Sequence, residues 1–530
     1  VFDDQTDALV GRARQHTIGD VLRRSAARTP HSLAIVFGDL RQSYADLDDM
    51  VNRMANALTA KHIGRGDRVA LLSHNHHAYV VSWFALARLG AISVPINFML
   101  NASEVAFVLE HSGSTGIIAE DALVGTAEAA IAVLADPTTV SVRGVIGTGD
   151  DHAGPDIPGW DRVSTWMAHP DASAPDVLIG DDDPIQIMYT SGTESRPKGA
   201  VLSSRALIAQ YVTCIVEGRM TADDIEVHAL PLYHCAQLHV FLTPDVYLGA
   251  TSILLPSPDA ANILATIERE RATKLFCPPT VWIALLRHPD FDTRDLSSLR
   301  KGYYGASIMP VEVLREILRR LPDVALFNLY GQTEMAPLAT FLAPEDQERK
   351  AGSAGRAALN VETLIVDDDD VPVPVGVVGE IIHRSPQAML GYWNDPAKTA
   401  ETFRNGWLHS GDLGVFDDEG YLTVVDRKKD MIKTGGENVA SREVEEVIYQ
   451  HPAVSEVAVF GASDPTWIEA VHAAVVVRDG HELDAAEVVA WCRERLAGYK
   501  VPKQVTLVAT LPKNASGKVL KRELRVDLAS

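Results

Sequence analysis

The first 120 residues repeat one pattern, a helical stretch followed by a short apolar run, and this alternation limits the fold more than any other feature of the chain. Residues 17–27 carry helical periodicity, and 32–37 read as a strand. Ser43-Tyr44-Ala45-Asp46 opens a helix that runs to Ala60. Residues 67–72 form the next strand, 79–89 an apolar helix and 91–95 another strand. A helix from Asn101 to Glu110 and a strand at 115–119 complete the series. Strands that alternate with helices predict a parallel α/β sheet, because every parallel crossover has to carry the chain back over the sheet. Residues 147–183, rich in Asp, Gly and Pro, read as a surface connection.

A chain of 530 residues exceeds what one ordinary core holds, so two or more domains are expected. Charge divides the chain in the same sense. From Arg427 onward 15 basic residues balance 15 acidic ones, so the net charge of −23 falls entirely on residues 1–426. That excess of acid argues against nucleic acid as a partner. Cys214, Cys235, Cys277 and Cys492 are far apart and contain no Cys-x-x-Cys, which fits buried free thiols. No apolar run approaches the ~18 residues that span a bilayer. Val1-Phe2-Asp3-Asp4 has neither a basic n-region nor an apolar segment, and a cytoplasmic location is expected.

Function enters at residues 185–202. Ile185-Gln186-Ile187 and Ala200-Val201-Leu202 read as strands, and Met188-Tyr189-Thr190-Ser191-Gly192-Thr193-Glu194-Ser195-Arg196-Pro197-Lys198-Gly199 lies between them. Such a loop suits polyphosphate: glycine lets backbone approach an anion, N–H groups and hydroxyls donate to phosphate oxygens, and lysine adds a mobile charge. It is not a Walker loop, since Gly192 is not followed five residues later by Gly-Lys-Ser/Thr. From composition alone a polar hairpin loop fits equally. The stretch resembles the phosphate-binding signature of the adenylate-forming superfamily (acyl-CoA synthetases, luciferases and adenylation domains), Tyr-Thr-Ser-Gly-Thr-Thr-Gly-x-Pro-Lys-Gly. Glu194 and Ser195 replace its second Thr and the following Gly.

Companion motifs follow in the superfamily's order. His234, in Leu232-Tyr233-His234-Cys235-Ala236, stands where the family places a gating residue beside the acyl pocket. His234, Cys235 and His239 could also suggest a metal, but no second cluster in the sequence completes a ligand set. Gly302-Tyr303-Tyr304-Gly305-Ala306 stands where the family often has Gly-Gly-Ala, with backbone against adenine and the acyl group. Tyr304 replaces the first glycine and either redirects the acyl tunnel or packs in the core. Asn328-Leu329-Tyr330-Gly331-Gln332-Thr333-Glu334 matches Tyr-Gly-x-Thr-Glu: an aromatic face for adenine, a hydroxyl for the α-phosphate, a carboxylate for Mg²⁺. The run Asp367-Asp368-Asp369-Asp370 reads as a solvated turn between strands. Ser410-Gly411-Asp412 matches the ribose-binding motif, since one carboxylate accepts from both hydroxyls. Arg427 matches the ribose- and phosphate-side arginine, Lys429 the hinge, and Gly435-Gly436-Glu437 the loop lining the pantetheine tunnel. Lys518, in Pro512-Lys513-Asn514-Ala515-Ser516-Gly517-Lys518, matches the C-terminal lysine of adenylation.

The resemblance covers nearly the whole chain and is nearest to bacterial fatty-acyl-CoA synthetases. It implies an α/β fold: a large N-terminal domain (1–426) of two α/β subdomains plus a small β-barrel subdomain, and a small mobile C-terminal α/β domain (427–530). It implies ATP, Mg²⁺ and coenzyme A. Lys518, Glu334, Thr333 and His234 would be catalytic. Thr190, Ser191, Gly192, Thr193, Lys198, Ala306, Asn328, Tyr330, Gly331, Asp412 and Arg427 would hold ATP or AMP, with Glu334 on the metal. The apolar stretch 241–255 and the segment from Ala229 suggest a hydrophobic pocket for a medium- or long-chain fatty acid, with a bulky polycyclic acid open. Two alternatives stand beside a CoA ligase: an acyl-AMP ligase serving a carrier protein or partner enzyme in secondary metabolism, and a nucleotide-binding module without turnover. A homodimer is neither required nor opposed by the sequence.

Overall fold

The computed structural model describes residues 4–149, 152–190, 197–307, 309–428, 430–434, 437–464, 467–514 and 518–528. The expected alternation forms two mainly parallel sheets rather than one. Strands Arg68–Leu72, Ile92–Pro95, Gly116–Glu120 and Val142–Ile146 pair in parallel within an eight-stranded sheet. Leu33–Phe37, which precedes them in sequence, leaves for a nine-stranded sheet and lies parallel to Thr251–Leu254. That second sheet continues in parallel through Ile225–His228, Lys274–Phe276, Lys301–Gly305 and Ala325–Gly331. The helix His77–Leu89 explains the split. All thirteen of its residues are buried, and its Tyr79, Trp83 and Phe84 share one core with Ile35 and Leu254 of one sheet and Val69 and Leu71 of the other. A helix apolar on every side needs cover on every side.

Local signals hold where the sequence places them. The helix Tyr44–Ala60 starts at a capping box: Ser43 Oγ accepts from Asp46 N, and Ser43 N donates to the Asp46 carboxylate at 2.9 Å. Such a cap contributes about 1 kcal/mol. The 147–183 connection is more ordered than its composition suggests. Asp161–Arg162 adds an edge strand beside Val142–Ile146. Helix Val163–Met167 follows, and Trp160, Val163 and Trp166 are buried. Two tryptophans supply the apolar area that the acids and glycines obscure.

Where a small barrel is expected, the structure has a five-stranded antiparallel sheet and no closed barrel is shown among the described residues; Gly379–Arg384 and Trp407–Phe416 are central in it. The four-acid run is its turn: the Asp367 carboxylate accepts from Asp369 N and Val371 N. A smaller α/β unit follows. Five strands, with Ile468–Val477 paired to Val454–Asp464, pack with helices Ser441–Tyr449 and Ala485–Arg493 around their own core of Ile432, Val444, Val459 and Val471. All four cysteines are free and buried. Among the described residues no helix is long and apolar enough to cross a membrane.

Candidate active site

Of the phosphate-loop candidates, Thr190 and Lys198 end two paired strands. Strands Pro184–Thr190 and Lys198–Ser203 are antiparallel, and Thr190 pairs directly with Lys198. Ser191, Gly192, Thr193, Glu194 and Ser195 lie outside the described residues. Lys198 places its ammonium 5.8 Å from the ring centre of Tyr392, on the short strand Gly391–Tyr392 that pairs with Lys198–Ser203. Tyr392 in turn donates its hydroxyl to Glu334 Oε1 at 2.7 Å. The chain therefore links the loop lysine to the expected metal carboxylate through one aromatic residue.

Glu334 and Thr333 stand on a 3₁₀ turn, Thr333–Met335, just beyond the strand Ala325–Gly331. Gly331 is required at that exit, because a Cβ there would lie 1.9 Å from the Pro337 carbonyl oxygen. Thr333 Oγ1 lies 3.2 Å from Cys235 Sγ, which joins this turn to the His234 segment. Burial pushes the Cys235 thiol up to about 12, so it is a neutral thiol. His234 Nδ1 accepts from Ala236 N at 3.2 Å. Burial, and then the Lys518 ammonium, push His234 down to about 4, so the ring is neutral at ordinary pH. Lys518 is thus within electrostatic reach of His234. Its N–H donates to Asn514 Oδ1 at 2.9 Å, and its carbonyl accepts from Asn514 N at 2.9 Å.

A second group forms around Asp412. Its carboxylate is buried, accepts from Tyr330 OH at 2.8 Å and pairs with Arg427 Nε at 3.3 Å. Asp412 and Arg427 are directly opposed on neighbouring antiparallel strands. Burial, then the Asp412 charge, raise the Tyr330 phenol above its ordinary value and keep it a donor. Asn328 uses its amide on the Ser353 carbonyl at 2.8 Å. Ala306 is exposed and left-handed, with φ of 63°, a conformation that costs about 1–3 kcal/mol and clusters at working sites. Glu437 is exposed on the strand Glu437–Val439. Lys429, Gly435 and Gly436 lie outside the described residues.

Beside His234 and Ala306 is a cavity of about 10 Å³, lined also by Leu230, Pro231, Ala236, Gln237 and Phe276. Gln237 closes one side from within a π-helical segment, Ala236–Leu242. Behind it, Gln237 Nε2 donates to His228 Nδ1 at 2.6 Å, and Lys274 pairs with Glu226 at 2.8 Å and with Asp245, all fully buried. Tyr304 does not line the cavity. It is buried in the core and donates to Gln347 Oε1 at 2.8 Å, so packing is the reading that holds. His239 engages both ring nitrogens, with Tyr211 OH at 2.8 Å and Gln186 Oε1 at 2.6 Å, which leaves no lone pair for a metal shared with His234.

Sequence reasoning missed Tyr392 and Gln237. Tyr392 lies 58 residues from its partner, and no local spacing signals such a contact. Gln237 follows the noted His234 by three residues and reads as an ordinary helical glutamine until its burial is known. The donor set at Thr333 and Glu334, a hydroxyl and a carboxylate, consists of hard oxygens and fits Mg²⁺.

The sequence matches the model of the AMP-binding enzyme family over residues 22–393 and that of the AMP-binding enzyme C-terminal domain over 443–518. It is 39% identical to a feruloyl-CoA synthase from an Amycolatopsis species, over 97% of this chain and 99% of the relative. It is 36% identical to a long-chain-fatty-acid–CoA ligase from Mycobacterium tuberculosis, over 96% and 98%. The fold superposes on the crystal structure of an anthranilate CoA ligase in complex with anthranoyl-AMP with a TM-score of 0.88 and 27% identity, over 96% of this chain and 97% of that one.

Proposed function

This chain belongs to the AMP-binding enzyme family and to its acid–thiol ligases, and on that premise we propose that it converts a compact, largely aromatic carboxylic acid to its CoA thioester through an acyl-AMP. The choice of acid is supported by the small size of the cavity beside His234 and by the feruloyl-CoA synthase relative. The cavity's inner wall is Gln237, backed by the buried Glu226–Lys274–Asp245 ion cluster. An alkyl chain driven past that wall would meet buried charge, which is unfavourable. The medium- or long-chain fatty acid expected from the sequence is the second reading, supported by the apolar lining of Leu230 and Phe276 and by the long-chain relative.

The chemistry follows from leaving groups. A carboxylate oxygen attacks the α-phosphorus of ATP, the bond to pyrophosphate breaks, and acyl-AMP results. The CoA thiol then adds to the acyl carbon, loses its proton and expels AMP. Both steps rest on positioning and charge stabilisation. Lys518 neutralises charge at the α-phosphate and acyl oxygen in the first step. Thr190 and Lys198, with Ser191, Gly192 and Thr193, hold the outer phosphates. Tyr330, Gly331, Asn328 and Ala306 receive adenine, and Asp412 with Arg427 the ribose. Neutral His234 bounds the acyl pocket. Glu334, steadied by Tyr392, would hold Mg²⁺, which when bound draws charge from the phosphate oxygens. The division at 426/427, with rotation about Lys429 that withdraws Lys518 and presents the Gly435-Gly436-Glu437 loop, completes the scheme.

Steady-state kcat/KM for hydroxycinnamic against palmitic acid, with ATP and CoA, tests the choice of acid. The aryl acid should lead by about 100-fold or more, the scale on which a pocket rejects a misfitting apolar group. A lead for palmitate would replace the compact-acid reading with the fatty-acid one.

A further inference from the structure

A helix of the small α/β unit is capped by a carboxylate from outside that unit. Helix Ser441–Tyr449 follows Ala440, which has no side-chain oxygen and makes no capping bond. The first N–H of the helix therefore needs an acceptor from elsewhere. Asp426, on the strand Leu422–Arg427, supplies it: Oδ2 accepts from Ser441 N at 2.7 Å and from Ser441 Oγ at 2.8 Å. The helix dipole favours an anion at that end, and both bonds are charge-assisted. Ser441 is buried, and its Oγ also accepts from Lys521 Nζ at 2.6 Å. Lys521 pairs with Glu445 at 2.8 Å and opens the helix Lys521–Leu528, three residues beyond Lys518. One serine thus ties the segment that carries Lys518 to Asp426. Arg442, the next residue of the capped helix, reaches in the same direction. Its guanidinium donates to the Val424 carbonyl and, at 2.9 Å, to the Gly352 carbonyl.

The bonds of Ser441 to Asp426 and of Arg442 to Val424 and Gly352 each join a residue before the proposed division at 426/427 to one after it. They accompany the arrangement in which the Lys518 charge reaches His234. We propose that Asp426, Ser441 and Arg442 form a latch that seats Lys518 for acyl-AMP formation and opens before the thioester step. The inference rests on the two-step reading above. A turn of the small unit about Lys429 separates Ser441 from Asp426 and Arg442 from its two carbonyls, so the helix loses its cap as the latch opens. Ser441 and Arg442 are positioning residues, which act through the seating of Lys518 and not on the reacting atoms. The strength of the latch sets how the enzyme divides its time between the two steps, since contacts made in one arrangement alone bias the equilibrium toward it.

The test separates the half-reactions. Single-turnover rates are measured for acyl-AMP formation from ATP and the acid that the wild type uses best, and for thioester formation from supplied acyl-AMP and CoA. Ser441→Ala and Arg442→Met are compared with the wild type. Each should raise the ratio of the thioester rate to the adenylation rate by about tenfold or more, the scale of one hydrogen bond to a charged group. Residues that merely hold the fold together would lower both rates in proportion and leave the ratio where it was. Should Arg442→Met fail to fold, Ser441→Ala, which removes a single oxygen, decides alone. An unchanged ratio in folded Ser441→Ala, or a ratio that falls, overturns the latch and leaves the two-step ligase standing. A wild type that forms no acyl-AMP from any acid overturns both.

Discussion

Lys518 donates its N–H to the Asn514 side-chain oxygen and accepts from the Asn514 N–H, and its charge is felt at His234. If its role is confined to adenylation, Lys518→Ala should lower acyl-AMP formation by about 100-fold or more, the scale of one electrostatic stabiliser, and leave thioester formation from supplied acyl-AMP within a few-fold. Equal loss in both half-reactions would refute that division. Tyr304 gives a contrasting expectation. Its hydroxyl is spent on Gln347 inside the core, so Tyr304→Phe should cost about 1–2 kcal/mol in chemical denaturation with an unchanged acid profile. A changed profile would place it in the tunnel after all. At this scale the sequence reveals residue types better than contacts. Asp412 accepts from Tyr330 and pairs with Arg427, contacts that no one motif states. Tyr392, which bridges Lys198 and Glu334, carries no signal because its partners are brought together only by the sheet.

The alternation of strands and helices is legible because apolar runs bounded by turn residues have few other uses. Which sheet a strand joins is not legible. Leu33–Phe37 has the composition of its neighbours, and its place beside Thr251–Leu254 depends on residues more than two hundred positions away. Ala236–Leu242 is equally opaque, since a π-turn differs from an α-turn by one residue and has no distinct periodicity over so short a span. The strands beneath it carry a buried charge whose cost can be measured. Burial alone would push Lys274 down, yet the Asp245 and Glu226 carboxylates carry it above its ordinary value. Lys274→Met removes the cation and strands two buried carboxyls, so unfolding free energy should fall by about 3–5 kcal/mol. A loss below about 1 kcal/mol in urea titration would mean that the cluster is neutral without its lysine.

At the scale of the molecule, two expectations concern motion and acid. Lys429→Pro restricts the backbone at the expected hinge, and it should slow thioester formation while sparing acyl-AMP formation; unimpaired overall turnover would remove the hinge from the account. Burial holds His76 and His77 at about 3, aided by the neighbouring imidazoles, and burial alone holds His239 at about 3 and His383 at about 4. Above pH ~6.5 these rings are neutral in both folded and unfolded chains and contribute nothing to pH dependence. Below it the unfolded chain binds protons that the folded chain does not, so stability is lost as pH falls from ~6.5 toward ~4, by up to about 1.4 kcal/mol per pH unit for each ring. The thermal midpoint should be level above pH 7 and decline below 6.5; a midpoint unchanged between pH 7 and 5 would contradict the buried neutral rings. The central claim is that the acid's own oxygen attacks the α-phosphate of ATP. Turnover of a carboxyl-¹⁸O-labelled hydroxycinnamate with ATP and CoA, read by mass spectrometry, tests it most directly. The account predicts one labelled oxygen in AMP and none in pyrophosphate. Label in a phosphate released with ADP, or unlabelled AMP beside the thioester, would contradict it.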